Sequence, residues 1–96
     1  MPNNSSEVFS IGTSQTITTG AASALLTNAF GPYTTVVRLV ATAACHVKIG
    51  NPTATATASD PYLPANTPWF IEVAPGQKIA AIQNAAAGVL HVTEMI

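Results

Sequence analysis

The chain has 96 residues, enough for one domain with a single modest core. Nearly half of them are apolar, yet only 7% are charged, three basic and four acidic, for a net charge of −1. Three basic side chains are too few to track a phosphate backbone or hold an anionic membrane, one cysteine cannot form an internal disulfide, and no apolar run approaches the roughly 20 residues of a bilayer-spanning helix.

Residues 1–7 read as a polar N-terminal arm, and residues 8–96 as one β domain. The start, "MPNNSSEVFS", lacks the basic and apolar regions of a signal peptide, so the chain is expected to be made and assembled inside a cell. "VFSIG" and "QTITTG" each end in glycine and alternate apolar with polar residues in part, as short strands do. "AASALLTNAF" is ambiguous between a helical turn and a strand, and "GPY" breaks it.

From Val36 to Ile49 the pattern has period two. Val37, Leu39 and Ala41 share one apolar face, opposite Val36, Arg38 and Val40; then Cys45, Val47 and Ile49 oppose Ala44, His46 and Lys48. The short link at 42–44 predicts a hairpin. The stretch "GNPTATATASDPYLPANTP" holds four prolines and reads as a long connection with at most a short Thr-Ala edge strand. "WFIEVA" is the next strand, and "APGQ" suits a type II turn. "KIAAIQ" and "GVLHVTEM" complete a second predicted hairpin through "NAAAG". Seven or eight short antiparallel strands without a helix predict an all-β fold: a β-sandwich, jelly-roll or small barrel.

Catalytic chemistry finds little footing. Cys45 and His46 are neighbours on a strand, so their side chains point to opposite faces and cannot converge. His46 and His91 occupy similar places in the two predicted hairpins, but they lack the companions of a zinc site and read as surface or interface residues. The four carboxylates are scattered along the chain; Arg38 with Glu72, or Lys48 with Glu94, are candidates for cross-strand pairs. "GQKIAAI" lacks the spacing of a phosphate loop. No catalytic residue, metal ligand or cofactor is expected, and the chain reads as a non-enzyme.

What remains is interaction surface. So few charges leave little to keep monomers apart, which predicts self-association. Trp69 and Phe70 are adjacent and point oppositely, so burying both takes the core on one side and a neighbour on the other. Phe9 and Ile11, next to the polar arm, form a second candidate interface, since a strand-prone arm adds readily to a neighbour's sheet edge.

"RLVATAACHVKIG" with "PTATA", then "YLPANTPWFIEVAPGQKIAAI" and "AAAGVLHVTEM", resembles a group of small bacteriophage proteins encoded near head or tail genes. Their pattern is R-L-V-A-T-x-x-C-x-V-x-I-G, Y-L-P-A, P-G-Q-K-I-A-A-I and a C-terminal V-T-E. The resemblance covers residues 35–95 and leaves 1–34 unmatched. It implies a structural virion component, first a capsid decoration (cement) protein on the outer surface of the head. Such a protein acts as a homotrimer bound to the major capsid protein and is assembled in the host cytoplasm. A tail, collar or head-fibre component is the alternative. A carbohydrate-binding module presenting Trp69, Tyr62 and Tyr33 is the third reading.

Overall fold

The computed structural model describes residues 11–95. Among them eight strands form: β1 (Ile11–Thr18), β2 (Ala24–Leu25), β3 (Val36–Ala41), β4 (Cys45–Gly50), β5 (Tyr62–Leu63), β6 (Trp69–Glu72), β7 (Lys78–Gln83) and β8 (Val89–Met95). They make two four-stranded sheets, with order β1-β8-β3-β6 in sheet A and β2-β7-β4-β5 in sheet B. Every pairing is antiparallel.

The topology is that of a ribbon rolled on itself. β1 pairs with β8, β2 with β7, β3 with β6 and β4 with β5, so the two halves of the chain run back along each other. The Pro-rich segment 51–61 is the tip of this ribbon. Rolling then adds the β3·β8 and β4·β7 ladders, and the result is an eight-stranded jelly roll.

Two predicted hairpins are therefore arches. β3 lies in sheet A and β4 in sheet B, so residues 42–44 cross between the layers instead of turning within one. Residues 84–88 do the same between β7 and β8. The two arches stack: Thr42 N–H donates to the Val89 carbonyl and Asn84 N–H to that of Ala44, at 2.9 and 3.1 Å. A three-residue link fits either geometry, and the long-range ladders decide for the arch.

The face assignments from the alternation hold. Val37, Leu39, Ala41 and Cys45 are wholly buried, Val47 is nearly so, and they join Leu63, Ile79, Ala81, Leu90 and Val92 between the sheets. Each fully buried aliphatic side chain stabilises the sandwich by roughly 1.5–3 kcal/mol. Ala80 points outward from sheet B yet is also fully buried, in register between Leu25 and Lys48.

Several local expectations change. Gly12 does not end a strand: β1 runs through it, and the register shift between Ile11 and Ser14 places a bulge there, which blunts an edge strand. "AASALLTNAF" yields only the two residues of β2, after which Leu26 and Phe30 plug the core while their N–H groups bond to the Ile79 and Gln77 carbonyls. The Thr-Ala stretch forms no strand; Ala56 is buried and its N–H donates to Ser23 Oγ. "APGQ" does form its turn, with the Gln77 N–H bonded to the Ala74 carbonyl and Gly76 at φ 83°, where only glycine sits without strain.

Candidate interaction surface

The outer face of sheet A is built by register. One cross-strand row runs Ile11–Met95–Val36–Glu72, and the next Ser14–Thr93–Arg38–Phe70. A third places Val40 opposite His91, which faces Thr16. Ile11 is 72% exposed and Phe70 57%, while Val36, Val40 and Met95 are half-buried. The face is thus mixed: Ile11, Val36, Val40, Phe70 and Met95 interleave with Ser14, Thr16, His91, Thr93, Arg38 and Glu72.

Trp69 and Phe70 divide as their opposite directions require. Trp69 packs partly buried against the core beside Leu39, its partner across β3. Phe70 stands on the outer face opposite Arg38. Ile11 lies at the far edge of the same face, so two of the four predicted interface residues share one surface. Phe9 lies outside the described residues.

The charges do not pair as the sequence suggested. Arg38 is in register with Phe70, not Glu72, which sits directly opposite Val36; Arg38 Nε is buried without a hydrogen-bond partner. Lys48 and Glu94 lie in different sheets. Glu94 instead follows Leu90 and Val92 on the inward side of β8 and is 7% exposed. Its Oε1 accepts hydrogen bonds from the Gly31 N–H (3.3 Å) and Thr34 Oγ1. It thereby anchors the loop that carries Tyr33, which is 86% exposed, along a cleft of about 190 Å³. Hydrogen bonds to a charged acceptor are worth about 1.5–3 kcal/mol. Glu94→Ala is therefore expected to lower the stability in urea unfolding by that amount, and Glu94→Gln, which keeps an acceptor, by less.

His46 and His91 do not meet. His46 is on the outer side of sheet B, where Nδ1 lies 2.8 Å from the Asp60 carbonyl and Nε2 3.0 Å from Asn84 Oδ1, with the Tyr62 ring edge-on at 5.6 Å. It ties the ribbon tip and one arch to β4, a structural task the sequence did not disclose. His91 is exposed on the outer face of sheet A. Cys45 is wholly buried on the opposite side of β4 from His46, and burial pushes its thiol pKa up, away from the reactive thiolate.

The three aromatics of the sugar-binding reading are dispersed. Tyr33 is on the loop before β3, Tyr62 on the outer side of sheet B at 48% exposure, and Trp69 faces inward on sheet A. In comparisons with known proteins, no family model, no curated protein and no solved structure matches this chain.

Proposed function

We propose that the chain is a structural, non-enzymatic assembly protein, acting as a bacteriophage capsid decoration (cement) protein. It associates with itself as a trimer and binds the major capsid protein on the outside of the head. The observation that carries this reading is the outer face of sheet A. A mixed sheet face with Phe70 and Ile11 standing in solvent is an interaction surface waiting for a partner. The scarcity of charge elsewhere supports the same reading, and so does the resemblance of residues 35–95 to small phage structural proteins. Viral capsid domains, and lectin domains as well, are built on jelly rolls, but the fold alone selects no function.

Arg38 and Glu72 put a cation and an anion on the face, available to a neighbouring copy in the head-to-tail contact that closes a trimer. Burying a few such side chains, at roughly 1.5–3 kcal/mol each and repeated by symmetry, offsets the cost of association. Phe70→Asp places a charge at the β6 edge of the face without touching the core. It is expected to leave the melting curve of the protomer intact and to weaken self-association at least tenfold in sedimentation equilibrium. Leu25→Asp, on the outer side of the other sheet, should leave association unchanged. If Phe70→Asp associates as tightly as the parent chain, the face is not the interface. Copy number per particle then separates cement from a vertex component of tail or collar: hundreds for the first, a dozen or fewer for the second.

A further inference from the structure

The sandwich is open along one side. β6 is the edge strand of sheet A, and on sheet B the two-residue β5 covers only Cys45 and His46 of β4. The Pro61 carbonyl takes the Val47 N–H, and the edge from Lys48 to Gly50 has no strand beside it. Ile49 and Ile71 point inward from these two edges, yet they are only partly buried. Between them lies a groove of about 310 Å³, lined by Val47, Ile49, Pro61 and Ile71, with Lys48 and Asp60 at its rim. A cavity of about 150 Å³ with such walls takes up a benzene ring.

We propose that this groove receives the N-terminal segment around Val8 and Phe9 of a second copy of the chain, as an added strand whose Phe9 ring enters between Ile49 and Ile71. The inference rests on the self-association proposed above and names a contact that makes it. An extended segment is the shape that fits, because the groove runs between two strand edges with unused backbone groups. Charge complementarity sets its chemistry. Glu7 and Phe9 share one side of an extended chain, so seating Phe9 puts Glu7 about 7 Å along at a rim that holds Lys48 and Asp60, and the strand direction proposed is the one that takes Glu7 to Lys48 and away from Asp60.

Reach decides that the donor is another copy. Ile11 begins β1 at the opposite edge of sheet A, and its row crosses Met95 and Val36 before reaching Glu72 of β6. Three strand spacings make about 14 Å. Phe9, two residues before Ile11, extends at most about 7 Å from it, and Val8 about 10 Å. Neither reaches the groove of its own sandwich. Phe70 and the groove-lining Ile71 are neighbours on the edge strand β6, so a copy that contacts Phe70 is next to the groove.

A disulfide trap with two full-length variants tests this. Chains carrying Glu7→Cys, which keep the Phe9 ring, are mixed with chains carrying Lys48→Cys, an exposed rim position where folding is not at stake, and oxidised at low micromolar concentration. Cys45, fully buried, stays out of the reaction. A mixed disulfide dimer is expected to form at least tenfold faster than with a Thr18→Cys partner, whose cysteine sits at the distant end of β1. Equal rates with the Thr18→Cys control would overturn the proposal. If that result is obtained while the parent chain is oligomeric in solution, self-association stands and only the arm contact falls. If the parent chain is monomeric at every concentration, both fall.

Discussion

Val47→Asp is expected to abolish the fold: no cooperative melting transition and loss of the β signature in far-ultraviolet circular dichroism. Val47 is 3% exposed on the inward side of β4, in register with Ala81 of β7. A carboxylate there has no cation to pair with, and an unpaired buried charge costs several kcal/mol even after relaxation. Domains of this size hold only about 5–15 kcal/mol in total. One residue away, His46→Asp points outward. It loses the contacts to the Asp60 carbonyl and Asn84 Oδ1, about 0.5–1.5 kcal/mol each, and leaves the core intact. That variant is expected to melt earlier but cooperatively. Equal failure of both would mean that β4 does not present its faces as described.

Gly88→Ala is the second substitution with a large expected effect. A methyl group at Gly88 would stand 2.7 Å from Ala43 Cβ, 2.9 Å from Thr42 Oγ1 and 3.0 Å from the Ala43 nitrogen. None of these is the end of a flexible side chain, so the two arches must separate. Their separation strains the bonds that close this end of the sandwich. The Thr19 N–H donates to the Gly88 carbonyl, the Gly88 N–H to Thr19 Oγ1, and the Val89 N–H to Thr42 Oγ1, each at 2.9 Å. Overpacking of this kind costs about 1–3 kcal/mol. At about 4–8 °C per kcal/mol, a loss of 2 kcal/mol lowers Tm by about 8–16 °C in differential scanning calorimetry. Gly20→Ala meets nothing within 4 Å and should be close to neutral. A Gly88→Ala chain as stable as the Gly20→Ala chain would show that the arches do not pack as described.

That contact also marks the limit of what the sequence discloses. Period-two alternation places Val37, Leu39, Cys45 and Val47 on the core side, because burial of one face is a local property of each strand. Pairing is not local. "TAA" between β3 and β4 is short enough for a hairpin, and only the ladders to β8 and β7, some 50 and 35 residues away in the chain, make it an arch. Glycine at 88 is the one sequence sign of the close approach, and it reads as an ordinary turn residue until Thr42 and Ala43 are known to face it. Glu94 misleads for a different reason. It follows Leu90 and Val92 at the inward spacing, and a carboxylate there is acceptable only because the Gly31–Thr34 loop folds over it to donate hydrogen bonds.

The candidate surface was legible in part. Adjacent Trp69 and Phe70 must face opposite ways on any strand, and one of them does stand in solvent. That Ile11, Val36 and Met95 share the outer face with Phe70 follows from the strand order β1-β8-β3-β6, which no local pattern encodes. The same order puts the start of β1 and the edge of β6 on opposite sides of sheet A.

The most direct test is the mass of the full chain in solution, by light scattering coupled to size exclusion at several loading concentrations. Three times the chain mass is predicted, falling towards the monomer for Phe70→Asp. A single chain mass at all concentrations would contradict the account, because the exposed Phe70 and Ile11 of sheet A would then have no partner among its own copies.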